Sequence, residues 1–163
     1  MSRSIVACIL PALVAIGGAC ADSITLATGD APAMTIVIPV EADEQVERAA
    51  NELQGYVAKL VAVELHLVTD EADLDAPAIF VGPCRQIQEA DLLPADANLE
   101  SYAIRVRDGN LMLVGREWHG TEFAVYSFLE HDLGIRWFVP GPLGEYIPEH
   151  EQGELTVEVT SRV

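Results

Sequence analysis

Two short runs carry an apolar side chain at every position, so neither has a face to give to water. Ala78-Ile79-Phe80-Val81 and Leu111-Met112-Leu113-Val114 must both lie inside a sheet. The second is the return arm of a hairpin. Tyr102, Ile104 and Val106 alternate with Ala103, Arg105 and Arg107, and Asp108-Gly109 is the pair a type I′ turn favours. Gly82-Pro83 stops the first run and Gly115 stops the second.

The remaining elements follow from periodicity. Ser23 to Thr28 alternates as a strand, Gly29-Asp30-Ala31-Pro32 marks a turn, and Met34 to Ile38 is a second strand closed by Pro39. A helix follows, with Asp43 as cap and Glu44 in its first turn. Val46, Ala49, Ala50, Leu53, Val57 and Leu60 recur at three- and four-residue steps to form its apolar face. Val63 to Leu67 alternates as a half-buried strand with His66 on its polar side. Asp70 to Pro77 is an acidic, solvated connection. It lacks the regular ligand spacing and central glycine of a calcium loop. Arg85 to Leu99 is expected to hold a short helix and a loop.

A second helix runs from a Thr121 cap, with Glu122 in the first turn and Ala124, Val125, Phe128, Leu129 and Leu133 as its core stripe. Its remaining polar groups, Glu130, His131 and Asp132, fall on the solvent side. Gly134 stands where a helix needs a left-handed residue to stop. Ile135 to Phe138 re-enters as a strand with Trp137 in the core, and Leu155 to Thr160 is a last strand with one apolar face. This order predicts an α+β fold: a mixed β-sheet with two main helices packed on one face.

The 163 residues amount to one domain, and half of them are apolar, enough for a sizeable core. The net charge of −17 excludes nucleic acid as a partner. The N-terminus has the form of a signal peptide over residues 1–21: Arg3, an apolar run from Ile5 to Ile16, and Ala19-Cys20-Ala21 as an A-x-A site before Asp22. That run is shorter than the ~20 apolar residues of a transmembrane segment. Two fates stay open for the exported chain, which is periplasmic or extracellular. It is released after Ala21, or it is lipidated at Cys20, although Gly17 stands where a lipobox has a Leu-like residue. Cleavage after Ala21 removes Cys8 and Cys20. Cys84 is then left without a disulfide partner, as a small buried residue rather than a nucleophile.

Signatures of catalysis are missing. The four histidines, His66, His119, His131 and His150, make no H-E-x-x-H, and there is no C-x-x-C, so neither a metal nor a cofactor is expected. Glu130-His131 and Glu149-His150-Glu151 are adjacent residues, which point about 100° apart on a helix. No G-x-S-x-G or phosphate-binding loop occurs. Glycoside hydrolysis needs two carboxylates on a rigid frame. Glu117, Glu122, Glu130 and Glu145 are available but carry no signature, so no catalytic residue is named. The unusual cluster is Arg116-Glu117-Trp118-His119, between the end of an internal strand and the second helix. Such loops line the site edge in layered folds. Arg116, Trp118 and His119 are therefore the candidate binding residues, with Trp118 stacking on a sugar ring. The alternative is that Trp118 packs on the helix and the polar groups are merely solvated.

Several pieces, in order, resemble the small α+β domain that precedes the catalytic barrel of certain exported glycoside hydrolases. They are Ile36-Val37-Ile38-Pro39, Ala49 to Tyr56, Ile79-Phe80-Val81-Gly82, Ser101 to Arg105, Leu111 to Gly115, Gly120 to Glu130 and Leu133 to Phe138. The chain is similar to that domain in family 67 α-glucuronidases, family 20 β-N-acetylhexosaminidases and their uncharacterised bacterial relatives, over about Ile24 to Val159. The resemblance implies a β-N-acetylhexosaminidase domain 2-like fold, zincin-like in outline without the metal motif. It makes residues 22–163 a non-catalytic accessory domain, with a (β/α)8 barrel domain or a polysaccharide as partner. It also places the catalytic carboxylates on a barrel of about 250 residues beyond Val163. A secreted carbohydrate-binding module is the other reading the residues allow.

Overall fold

The two doubly apolar runs do lie inside one sheet. The computed structural model describes residues 21–87 and 92–163. Its main sheet has five strands in the order β4-β3-β5-β7-β6: β3 is Thr35–Ile38, β4 His66–Thr69, β5 Ala78–Val81, β6 Tyr102–Arg107 and β7 Asn110–Gly115. β4, β3, β5 and β7 pair in parallel, and β6 closes one edge antiparallel to β7, so the sheet is mixed. The hairpin turn is the expected one: Asp108 and Gly109 both have positive φ, 52° and 77°.

Alternation along each strand divides the side chains between two cores. Ile36, Ile38, Ile79, Val81, Ile104, Leu111 and Leu113 face helices α1 (Glu44–Val61) and α2 (Trp118–His131). Val37, Ala78, Phe80, Ala103, Met112 and Val114 face the other way and are covered by Cys84, Leu92 and Leu93 from loops. The fold is α+β, with both helices on one side of the sheet. Every residue of the expected apolar face of α1 is buried, and so is every residue of the α2 core stripe. Gly134, at φ 75°, reverses the chain after α2.

The first and last strands do not join the main sheet. β1 (Ala21–Thr28) pairs antiparallel with β10 (Leu155–Thr160) and with the two-residue β2 (Ala31–Pro32). Ile24, Leu26, Leu155, Val157 and Val159 add their side chains to the helix-side core. The chain then touches the main sheet at one bridge, where Arg162 and Ile104 exchange backbone bonds of 3.0 and 2.9 Å. The expected leader, with Cys8 and Cys20, lies outside the described residues apart from Ala21.

Several local expectations need correction. The strand expected over Val63 to Leu67 is displaced to His66–Thr69, because Ala62 adopts φ 59° and Val63 to Leu65 then run as coil into the core. Asp70 is not solvated. It is buried, and its carboxylate accepts the backbone N–H groups of Val40 (3.1 Å) and Arg85 (2.8 Å), tying together the chain after β3, β4 and β5. Asp132 leaves the solvent side as well: its nearly buried carboxylate pairs with Arg162. Trp137 is half out of the core. It lies on β8 (Arg136–Trp137), which pairs only with β9 (Glu145–Tyr146) in a separate ribbon. The segment 85–99 contains turns where it is described, and residues 88–91 lie outside the described residues.

Thr121 is not the cap of α2. The helix starts four residues earlier than that, at Trp118 after a Glu117 cap, and Thr121 is fully buried within it. The cause is the glycine at each side of the junction. A Cβ on Gly115 would collide with the backbone of Gly120 and Thr121, and one on Gly120 would collide with the carbonyl oxygen of Ser101. Strand end and helix start therefore meet backbone to backbone. The Gly115 N–H donates to Thr121 Oγ1 at 3.1 Å, and the Arg116 N–H donates to the Ser101 carbonyl at 2.9 Å. Thr121→Val keeps the volume but strands the Gly115 N–H. A loss of about 1–3 kcal/mol in urea-unfolding stability is expected.

Candidate functional site

The predicted binding cluster lies at the carboxyl ends of the parallel strands. The segments after β3, β5 and β7, together with the starts of α1 and α2, surround a crevice of about 280 Å³. Pro39, Glu41, Asp43, Pro83, Arg116, Glu117 and Trp118 are among its lining. Such crevices are where open parallel sheets place ligands. Arg116 and Trp118 are brought together here. His119 is not part of the lining. It is exposed, and its ring stacks on Trp118 with centroids 3.2 Å apart and planes 23° apart. Trp118 is also packed against the helix-side core. The walls carry Glu41, Asp43 and Glu117 against the single cation Arg116, so an anionic ligand is disfavoured.

A larger groove of about 640 Å³ lies on the outer face of the two helices, lined by Glu52, Gly55, Tyr56, Lys59, Tyr126, Glu130 and Trp137. Trp137 stands edge-on to both tyrosines, with centroids 5.5 Å from Tyr56 and 5.7 Å from Tyr126, at interplanar angles of 81° and 88°. Its indole Nε1–H donates to the Tyr56 hydroxyl at 2.7 Å, and that hydroxyl donates to Glu145 Oε1 at 3.1 Å. Lys59 Nζ donates to Glu145 Oε2 at 2.8 Å and sits 4.4 Å from the centre of the Tyr56 ring. On the other wall the Tyr126 hydroxyl donates to Glu52 Oε2 at 2.5 Å.

These contacts shift the groups involved. The Lys59 ammonium, followed by the Tyr56 hydroxyl, holds the Glu145 carboxyl below its ordinary range. Burial, reinforced by Glu52, pushes the Tyr126 phenol well above its ordinary value, and burial raises Tyr56 too. Both phenols therefore stay protonated donors at neutral pH.

Sequence reasoning missed this groove, although a signal was present. Glu52, Tyr56 and Lys59 share one stripe of α1 at steps of four and three, and Tyr126 and Glu130 share one of α2 at a step of four. What the one-dimensional pattern lacks is the pairing of the two stripes and the arrival of Trp137 between them.

The carboxylates considered for hydrolysis do not converge on one site, although Glu130 and the partners of Glu145 share the groove. Glu122 pairs with Arg48 at 2.6 Å, Glu145 with Lys59, Glu117 lines the crevice and Glu130 lines the groove. A serine–histidine pair occurs on α2, where Ser127 Oγ and His131 Nδ1 are 3.5 Å apart. It lacks the orienting acid of a nucleophilic triad, since the Asp132 carboxylate is bound to Arg162. Among the described residues no group of three metal-binding side chains converges, and no helix is long and apolar enough to cross a membrane.

No protein-family model matches the chain, and no curated protein matches it. Solved structures similar to it are glycoside hydrolase chains. One is a GH138 enzyme targeting pectin rhamnogalacturonan II, at 12% identity and a TM-score of 0.44 over 60% of this chain and 10% of that one. A second is a GH84 chain, at 13% and 0.48 over 84% of this chain and 21% of that one. A third is a GH115 4-O-methyl-α-glucuronidase with specificity for decorated arabinogalactans, at 16% and 0.41 over 82% and 18%. The chain thus spans between a tenth and about a fifth of the length of these proteins.

Cys84 follows β5 with its side chain buried, and its thiol lies 3.5 Å from the Val37 carbonyl oxygen. Burial, with Asp70 nearby, pushes the thiol up to about 12. In the chain that begins at Asp22, iodoacetamide at pH 8 is expected to leave Cys84 unmodified in the folded state and to alkylate it fully in denaturant, as read by intact-protein mass.

Proposed function

We propose that the chain is a non-catalytic accessory domain of an exported glycoside hydrolase. It is of the kind that precedes the barrel in family 67 α-glucuronidases and family 20 β-N-acetylhexosaminidases. Its leader, residues 1–21, directs export, and residues 22–163 pack against a (β/α)8 catalytic barrel. The ordered set of motifs from Ile36 to Phe138 supports the family reading.

The observation that carries the scaffold role is the β8–β9 ribbon. Phe138 is 75% exposed, Leu143 fully exposed, and Val139 and Tyr146 more than half exposed, all within nine residues of chain. A local cluster of that kind marks an interaction surface rather than ordinary surface scatter. Gly141 (φ 93°) and the 3₁₀ turn Pro142–Gly144 hold it in shape. The Phe138 N–H donates to the Gly144 carbonyl at 2.9 Å, so the loop presents these side chains on a closed frame.

A second reading, a carbohydrate-binding module acting through Arg116, Trp118 and His119, is favoured by the crevice that Arg116 and Trp118 share. Its smaller volume and the packing of Trp118 against the core rank it below the scaffold.

The scaffold reading separates the ribbon from the domain's own folding. A double variant, Phe138→Ser with Leu143→Ser, is expected to keep urea-unfolding stability within about 0.5 kcal/mol of the parent. Binding of an apolar fluorescent dye is expected to fall. A stability loss of about 2 kcal/mol or more would assign the ribbon to the core instead.

A further inference from the structure

We propose that the groove between the outer faces of α1 and α2 is a binding site for an uncharged pyranose ring, with Trp137 as its platform. The site goes beyond the scaffold role and uses neither Arg116, Trp118 nor His119.

Three features build it. The first is a fixed aromatic surface. Trp137, the last residue of β8, turns onto the helices, while Phe138 after it is exposed in the ribbon's apolar cluster. Trp137 keeps 37% of its surface open, whereas Tyr56 beneath it is nearly buried. The indole cannot swing freely, because Nε1–H is held by the Tyr56 hydroxyl and two rings flank it. A ligand therefore meets a preformed surface and loses little to ordering the protein.

The second is the set of hydrogen-bonding groups around that surface. Glu52 spends Oε2 on Tyr126, and among the described residues Oε1 takes no hydrogen bond, which leaves it to accept from a ligand donor. Glu130 lies on the groove with a side chain 46% exposed, and among the described residues its carboxylate has a long 4.0 Å contact to Arg136 and no hydrogen bond. Lys59 is 49% exposed at its side chain and holds Glu145 through one of its three protons. Carboxylates that accept and an ammonium that donates, set beside an apolar plane, match a ring with an apolar face and a rim of hydroxyls.

The third is charge. Glu52 and Glu130 line the groove against Lys59, whose charge is met by Glu145, and Arg136 approaches Glu130 only at 4.0 Å, so the groove is negative on a chain whose net charge is −17. Phosphates and sugar acids are repelled. A wholly apolar ligand would desolvate Glu52 and Glu130 without return. A cationic ligand is drawn by the carboxylates but finds the Tyr56 ring already faced by Lys59, so methylammonium is the competing probe in the test. An uncharged polyhydroxylated ring avoids the first two penalties and uses the carboxylates and the ammonium as hydrogen-bond partners. At about 640 Å³ the groove is within the size range of small-ligand sites.

Trp118 and Trp137 are the chain's two tryptophans, so their indole N–H resonances can be followed separately. The test is a two-dimensional NMR titration with the methyl glycosides of glucose, galactose, mannose, xylose and N-acetylglucosamine, and with methylammonium and glucuronate as charged probes. A saturable shift of the Trp137 indole signal is expected with at least one uncharged glycoside. The affinity should fall about tenfold in Glu130→Gln, a surface change that spares the fold. Saturation transfer from the protein to the glycoside protons, which needs no Trp137 signal, should be lost in Trp137→Ala and unchanged in Trp118→Ala. The proposal is overturned if no uncharged glycoside shifts the Trp137 signal, or if binding survives Trp137→Ala. It is equally overturned if binding is lost in Trp118→Ala with the fold intact, or if methylammonium or glucuronate binds as tightly as the best glycoside.

Discussion

The backbone contact of Gly115 and Gly120 is the constraint on which the half of the molecule with the crevice and the groove depends. Without side chains at these two positions, β7 can end directly against the first turn of α2. The Thr121 hydroxyl then takes the last N–H of the strand, inside the protein where water cannot. That contact sets where α2 crosses the sheet. It sets in turn which stripe of α2 faces α1, and so the distance at which Tyr126 and Glu130 stand from Tyr56 and Glu52. The strand-end crevice around Arg116 and the groove around Trp137 are both products of this one junction.

Their electrostatics differ from what a catalyst of sugar chemistry needs. Two carboxylates with opposed protonation states, held a fixed distance apart, would be the working unit. Here three of the carboxylates near open space are engaged separately: Glu122 by Arg48, Glu145 by Lys59 and Tyr56, Glu52 by Tyr126. The direction of the Glu145 shift is toward the ionised form, opposite to a general acid. The acids act as acceptors that orient neighbouring groups. Beside them the ribbon turns its apolar side chains to the outside, an arrangement suited to being covered by another domain.

Much of the fold was legible because burial leaves a period in the sequence. The apolar steps of α1 and α2, the doubly apolar runs of β5 and β7, and the Asp108-Gly109 turn all report local rules, and all are found where expected. Where a contact joins distant parts of the chain, the pattern carries no mark of it. Asp70 looks like one acid among several in a polar loop, yet it binds two backbone N–H groups far along the chain. Trp137 looks like core because its neighbours are apolar, yet Gly134 turns the chain away from the main sheet and leaves β8 on a ribbon of its own. Thr121 has the identity of a cap, and only the Gly115–Gly120 approach shows that the helix must start before it. The groove escaped for the same reason: each helix carries its stripe openly, but their meeting is tertiary.

Intrinsic turnover is the most direct test of a non-catalytic domain. The chain from Asp22 to Val163 can be incubated with a panel of nitrophenyl glycosides that includes a glucuronide and an N-acetylglucosaminide. Release of nitrophenol is expected at the rate of the buffer alone. Saturable turnover at about 1 s⁻¹ or faster, abolished by a single Glu→Gln change at Glu117, Glu122, Glu130 or Glu145, would contradict the accessory role and make the chain an enzyme in its own right.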